Sequence, residues 1–86
     1  MPAVSDNAEA ICRVLRSMLD EHGSPRTTSP GELAPAVGIS SRAIGLILGR
    51  ERGLIDAVCA RHGIVITEYR RSHGRNGARI VFRLAD

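Results

Sequence analysis

Residues 32–48, ELAPAVGISSRAIGLIL, have the apolar spacing of two short helices that pack together at a tight corner. Gly38 suits the corner, because glycine adopts without steric cost the left-handed conformation that ends a helix. Apolar residues recur three to four positions apart on both sides of it, so each segment presents one apolar face. The stretch therefore predicts a helix, a turn and a second helix at the centre of the fold.

The first of these helices carries its own start signal and an internal proline. Ser29, Pro30 and Glu32 form a serine cap, a favoured first helical residue and a glutamate that can return to the cap. Pro35 lacks a backbone N–H and removes one hydrogen bond, a loss that so short a helix tolerates. We predict a helix over 30–37; the alternative is that Pro35 makes this segment a loop.

The chain before this corner predicts one longer helix and one short strand. Asp6 and Glu9 form a capping pair, and the apolar residues after them recur with the helical period. Gly23 then ends the pattern. We predict a first helix over 6–22 and a short edge strand over 26–28.

An amphipathic segment follows the corner. Its apolar residues keep one helical phase from Ile44 to His62, with small and polar residues on the opposite side. We favour one helix over 41–62, and the alternative is a break near Gly53 into two pieces.

The last quarter of the chain changes period. IVITEYRR and ARIVFRL are rich in β-branched residues, and SHGRNG between them is rich in turn formers. These features predict a β-hairpin over 64–84. Its second strand places Ile80, Phe82 and Leu84 on one face, while the register stays open because two places in the turn suit the corner.

Composition indicates a single α+β domain over 1–86 with an aliphatic core. The chain is 43% apolar with one Tyr, one Phe and no Trp. No apolar run approaches the ~20 residues that span a bilayer, and no basic, then apolar leader opens the chain. We therefore expect a cytoplasmic protein in which Cys12 and Cys59 are buried free thiols.

Charge is distributed unevenly along the chain. Residues 1–41 hold three Arg and five acidic residues, a net charge of −2, whereas residues 42–83 hold nine Arg and three acidic residues, a net charge of +6. All basic residues other than histidine are Arg, whose planar donors suit phosphates and guanine edges. A GC-rich genome alone explains the absence of Lys equally well. The asymmetry between the two halves points to an anionic partner.

The corner meets the spacing of a helix-turn-helix at seven positions: Leu33, Ala34, Val37, Gly38, Ile39, Ile44 and Ile47. With the hairpin behind it, the chain over 6–84 resembles the winged helix-turn-helix family of DNA-binding domains. That resemblance implies a small winged helix, a three-helix bundle followed by a C-terminal hairpin wing. It also implies that the helix after the corner enters the major groove of double-stranded DNA while the wing contacts the backbone or the minor groove.

The resemblance places DNA contacts in three parts of the chain. On the helix after the corner they are Ser40, Ser41, Arg42, Gly45, Leu46, Gly49 and Arg50, and Ser29 is added at the preceding cap. In the wing they are Arg70, Arg71, Ser72, His73, Gly74, Arg75, Asn76, Gly77 and Arg79. Four wing arginines within ten residues, with no acid among them, favour salt-sensitive phosphate binding over a merely solvated turn.

Glycines spaced by four, at 45, 49 and 53, leave two alternatives open. Small residues let the helix backbone approach DNA, with Leu46 on a thymine methyl and Arg42 on guanine. Alternatively, the Gly45/Gly49/Gly53 face docks a helix of another protein, and the domain is a protein-interaction module with a winged-helix fold.

Catalysis is not indicated by any motif. The three histidines and two cysteines lack metal-ligand spacing, so we expect no enzyme activity, no metal and no cofactor. The expected function is sequence-dependent binding of double-stranded DNA, in transcription regulation or in phage, plasmid or replication control. A homodimer on two half-sites is an open alternative to a monomer, RNA is a weaker alternative partner, and neither a membrane nor a small-molecule substrate is expected.

Overall fold

The computed structural model describes residues 4–71 and 77–86. Over these ranges the chain is an α+β domain of four helices and one three-stranded antiparallel sheet, which confirms the expected fold class at that level. The elements in chain order are α1 (Val4–His22), β1 (Arg26–Thr28), α2 (Pro30–Val37), α3 (Ser41–Arg50), α4 (Arg52–Arg61), β2 (Ile64–Arg70) and β3 (Arg79–Leu84). The helix expected over 30–37 and the strand expected over 26–28 coincide with α2 and β1.

Local hydrogen bonds set both ends of α2. The Oγ of Ser29 accepts from the N–H of Glu32 at 3.2 Å. At the other end, Gly38 has a φ of 88°, and its N–H donates to the carbonyl of Ala34 at 2.8 Å. The Glu32 carboxylate accepts from the Thr28 hydroxyl at 3.0 Å. Pro35 lies inside α2, and the helix continues through it. The loop alternative for this segment is therefore wrong.

The segment after the corner forms two helices rather than the single helix that we favoured. Glu51 separates them with φ −112° and ψ 37°, and the break lies two residues before Gly53. Glu51 keeps a helix-type hydrogen bond on each side. Its N–H donates to the carbonyl of Ile47 at 2.9 Å, and its carbonyl accepts from the N–H of Ile55 at 3.0 Å. The apolar residues therefore keep the same helical phase on both sides of the break, which is why periodicity alone favoured one helix. Gly49 and Gly53 flank the break and lower the cost of leaving the helix there.

One aliphatic core joins the helices to the sheet. Helix α1 crosses its centre and packs against α4, and α2, α3 and the sheet close around it. Burial along α1 follows the helical repeat, as an amphipathic helix requires. The fully or nearly fully buried residues of α1 are Ala8, Ile11, Cys12, Leu15 and Leu19.

The sheet has the order β1-β3-β2, so β3 is its central strand. Ile80 and Phe82 of β3 are completely buried and Leu84 is half-buried, so the inner face predicted for this strand is confirmed. The antiparallel pair β2–β3, called here the β2–β3 ribbon, corresponds to the predicted hairpin. The turn of that hairpin, residues 72–76, lies outside the described residues.

Pairing within the ribbon slips by one residue in the middle of β2. Ile66 lies opposite Phe82, but Glu68 lies opposite Val81, so Thr67 has no partner residue and forms a bulge. One extra residue reverses the alternation of faces, because successive side chains of a strand point to opposite sides. Residues of β2 beyond the bulge therefore face the side opposite to the one that simple alternation predicts.

The bulge decides which side chains at the end of β2 face the helices. Tyr69 lies opposite the buried Ile80 and packs against the core, so it is on the inner face. Arg70 lies opposite Arg79 on the outer face, where both are exposed. Arg71 comes next and reaches the helices on the same side as Tyr69.

A disulfide joins α1 to α4. Cys12 and Cys59 are completely buried, as expected, but their sulfurs are bonded, so the free-thiol prediction is wrong. Their Cα atoms are 5.3 Å apart, within the range that a disulfide needs. The inner faces of the two helices converge at this point, which a separation of 47 residues in the sequence does not reveal.

The end of α4 is tied to α1 a second time. His62 caps α4, and its Nε2 donates to the Oε1 of Glu9 at 2.6 Å. The Nη1 of Arg16 donates to the carbonyl of His62 at 2.8 Å. Gly63 follows with a φ of 71°, and a Cβ there would lie 2.8 Å from the same Arg16 nitrogen. Glycine is therefore required where the chain turns into β2.

Reduction of the Cys12–Cys59 disulfide should lower the free energy of unfolding by about 4 kcal/mol, because this cross-link restricts the unfolded chain over a long loop. Equilibrium urea denaturation with and without a dithiol reductant measures the effect. The double variant Cys12→Ala, Cys59→Ala is the control and should give one midpoint in both conditions. A wild-type midpoint that the reductant does not move would contradict the cross-link.

Candidate functional site

A groove of about 630 Å³ opens between α3, the start of α2 and the far end of the β2–β3 ribbon. We call it the arginine groove. None of its lining residues within 4–71 and 77–86 is acidic. The structure brings together here nine of the residues that the sequence singled out: Ser29, Ser41, Arg42, Gly45, Leu46, Gly49, Arg50, Arg71 and Gly77.

One row of α3 provides the long side chains of the groove. Arg42, Leu46 and Arg50 are four residues apart and so lie along one side of the helix. All three are exposed, and Leu46 is 44% exposed although it is a large apolar residue. This row offers two guanidinium groups with an aliphatic contact between them.

Guanidinium groups in the groove have no acidic partner in the part of the chain that the structure describes. No ion pair joins Arg42, Arg50 or Arg71 to a carboxylate there, whereas Arg52 on α4 pairs with Asp56 at 2.9 Å. Unpaired Arg side chains on a concave surface without carboxylates create a positive potential. The groove therefore suits an anion.

Gly45 and Gly49 form the wall of α3 that the ribbon approaches. The O–H of Tyr69 donates to the carbonyl of Gly45 over 3.5 Å, a long hydrogen bond. A Cβ on Gly49 would lie 3.3 Å from the Nη2 of Arg71. Gly53 belongs to α4 and has no neighbour within 4 Å of such an atom among the described residues. The three glycines therefore do not belong to one helix, because α3 ends before Gly53.

Other residues expected at the site lie elsewhere. The Oγ of Ser40 accepts from the N–H of Ala43 at 3.1 Å and so caps α3. Arg70 and Arg79 lie on the outer face of the ribbon, and Arg70 is 3.8 Å from a carboxylate oxygen of Glu68. Outside the described residues lie Ser72, His73, Gly74, Arg75 and Asn76.

Four lining residues were not expected from the sequence: Pro30, Gly31, Tyr69 and Ala78. Pro30 and Gly31 enter because the start of α2 borders the groove. Tyr69 is on this side only because of the bulge at Thr67, and strict alternation from Ile66 puts it on the other face. The available signal was a single tyrosine at the polar end of an apolar strand, which does not predict a bulge.

No protein-family model, curated protein or solved structure matches this chain. Within residues 4–71 and 77–86, no group of three or more His, Cys, Asp or Glu residues is placed to hold a metal ion. No single helix in these ranges has the length and apolar character to cross a membrane; α2 and α3 taken together meet those criteria but are bent by 111°.

Ser40→Ala should lower the free energy of unfolding by about 1 kcal/mol, because the first turn of α3 loses its side-chain acceptor. Ser41→Ala is the matched control: Ser41 is exposed, its side chain makes no hydrogen bond within the described chain, and the change should stay within about 0.5 kcal/mol. Urea denaturation of both variants measures the difference. Equal losses in the two variants would contradict the capping role.

Proposed function

We propose that this protein binds double-stranded DNA as a winged-helix domain, with the arginine groove as its interface. The observation that carries the proposal is that Arg42, Arg50 and Arg71 surround one concave surface and that, among the described residues, none of them has an acidic partner and no acidic residue lines that surface. In this arrangement α3 enters the major groove, and the ribbon runs along the sugar-phosphate backbone.

Topology supports a winged helix. A strand precedes α2, two strands follow the helices, and the sheet order β1-β3-β2 returns the last strand to the centre. The axes of α2 and α3 are bent by 111° across a turn of three residues, which agrees with the roughly 90–120° of helix-turn-helix motifs. Helix α4 is an addition to a three-helix bundle and joins α3 to the ribbon.

Electrostatics favours a polyanion over a neutral partner. Arg binds phosphate with two parallel N–H donors, and binding releases the counterions that DNA condenses. These contacts carry little sequence information, so they supply affinity rather than specificity.

Base reading is limited to one side of α3. Arg42 can contact a guanine edge, and Leu46 can contact the methyl group of thymine. Two such residues read few base pairs, so sequence preference is modest for one copy. A homodimer on adjacent half-sites would increase it. Transcription regulation and phage, plasmid or replication control are roles that use such binding.

A cytoplasmic location gives access to chromosomal DNA, but disulfides are rare in that compartment. Both sulfurs of the Cys12–Cys59 bond are completely buried. Attack by a cytosolic thiol therefore requires that the core opens first, which slows reduction. On this view the disulfide is compatible with the proposed location.

A protein-interaction role for the domain loses its main support. It relied on one open glycine face, and the ribbon already lies against Gly45 and Gly49 while Gly53 is on another helix. RNA remains the competing polyanion. A structured RNA of the same charge is therefore titrated alongside the duplex DNA.

Titration of a duplex DNA fragment at several salt concentrations tests the proposal. The double variant Arg42→Gln, Arg71→Gln should bind more weakly and reduce the slope of log K against log salt by about 1.8, since each phosphate contact contributes ~0.9. The control Arg13→Gln, Arg61→Gln removes the same charge from exposed residues that do not line the groove, and its slope should change much less.

Three results would overturn the proposal. Wild-type protein that binds no duplex at low salt would exclude DNA as the partner. Equal slopes for the groove variant and the control variant would show that only net charge matters. Tighter binding to structured RNA than to duplex DNA would transfer the site to RNA.

A further inference from the structure

We infer that Gly49 and Tyr69 are positioning residues that hold Arg71 at the wall of the arginine groove. The inference rests on the proposed DNA binding and assigns a role to the glycine row of α3. That row, Gly45 and Gly49, contacts the β2–β3 ribbon of the same chain.

The bulge at Thr67 is the first step of this positioning. Because the pairing slips there, Tyr69 lies opposite Ile80 on the inner face and Arg71 follows it on the same side. In an unslipped strand Arg70 would face the helices. Backbone register thus selects which of two neighbouring arginines reaches the groove.

Contact between Tyr69 and Gly45 is the second step. The tyrosine is half-buried against the core, and its hydroxyl lies 3.5 Å from the carbonyl of Gly45. A Cβ on Gly45 would lie 3.4 Å from the same hydroxyl, so the ring reaches the helix backbone where no side chain intervenes. Because this hydrogen bond is long, the packing of Tyr69 against the core is the stronger constraint on the distance between the ribbon and α3.

Contact between Arg71 and Gly49 is the third step. The Nη2, Nε and Cζ atoms of Arg71 lie 3.3, 3.8 and 4.0 Å from the position of a Cβ on Gly49. Both nitrogens lie nearer than the carbon that joins them, so the Nε–Nη2 edge of the guanidinium is turned towards α3 at a residue without a side chain. Within the described chain Arg71 has no acidic partner, so packing on Gly49 sets its place and leaves the donors on the opposite, Nη1 side available for phosphate.

A double-mutant cycle on DNA binding tests the inference, with wild type, Gly49→Leu, Arg71→Gln and the double variant. Leucine fills the place of the guanidinium and is a better helix former than glycine, so α3 is retained. Each single variant should lose about eightfold in affinity at ~0.1 M salt and reduce the salt slope by about 0.9, the value for one phosphate contact. The double variant should lose no more than either single one.

Matched controls separate positioning from folding and from direct obstruction. Gly53→Leu adds the same side chain where the described structure is open, and it should leave affinity and slope unchanged. Tyr69→Ala should reproduce the slope of Arg71→Gln, whereas Tyr69→Phe keeps the ring and should restore binding. Urea midpoints of all variants verify that each is folded.

The outcomes distinguish a failure of the positioning role from a failure of DNA binding. If wild type binds DNA and the losses of Gly49→Leu and Arg71→Gln add, leucine acts by obstructing DNA, and the positioning role is overturned while DNA binding stands. If Tyr69→Phe binds as weakly as Tyr69→Ala, the ring of Tyr69 does not position Arg71. Absence of wild-type binding overturns the proposed function and, with it, this inference.

Discussion

The central strand β3 is held from three directions, and the orientation of the groove depends on it. It pairs with β1 on one edge and with β2 on the other, and its Ile80 and Phe82 are completely buried in the core. A shift of β3 by one residue would expose both, so the slip in pairing falls on β2 alone. The bulge at Thr67 is the result, and it turns the end of β2 so that Tyr69, and then Arg71, face α3.

Two arginines of the second half of the chain serve the fold rather than the groove. Arg52 pairs with Asp56 at 2.9 Å and donates to the carbonyl of Ile66 at 3.0 Å, which ties α4 to β2 directly before the bulge. Arg83 likewise donates to a backbone carbonyl, at 3.0 Å. These side chains stabilise the fold, whereas the arginines of the groove have no carboxylate partner in the described part of the chain. The net charge of the second half therefore overstates the positive charge available to an anion. The position of each arginine in the fold determines whether it is available.

Features fixed by neighbouring residues were predictable from the sequence, and features fixed by distant ones were not. The serine caps, Gly38 and the helix over 30–37 depend on hydrogen bonds within four residues, and the inner face of β3 follows from simple alternation. The break at Glu51 keeps helical phase, so periodicity could not reveal it. The disulfide and the bulge depend on which elements meet in space. At the site, Arg42, Leu46 and Arg50 were predictable because they lie on one face of one helix. The positions of Tyr69 and Arg71 were not, because they depend on the register of the ribbon.

Because Arg71 is held against Gly49, it differs from the other two arginines of the groove. An Arg side chain that is free in solution loses rotamer freedom when it binds a phosphate, and packing against Gly49 removes part of that cost in advance. Arg42 and Arg50 stand on the exposed side of α3. The groove thus combines one guanidinium held against the helix with two carried by it. Under the proposed DNA binding, the fixed group would define where the backbone of the nucleic acid lies, and that fixed register would be the condition for Arg42 and Leu46 to read one base step rather than its neighbours.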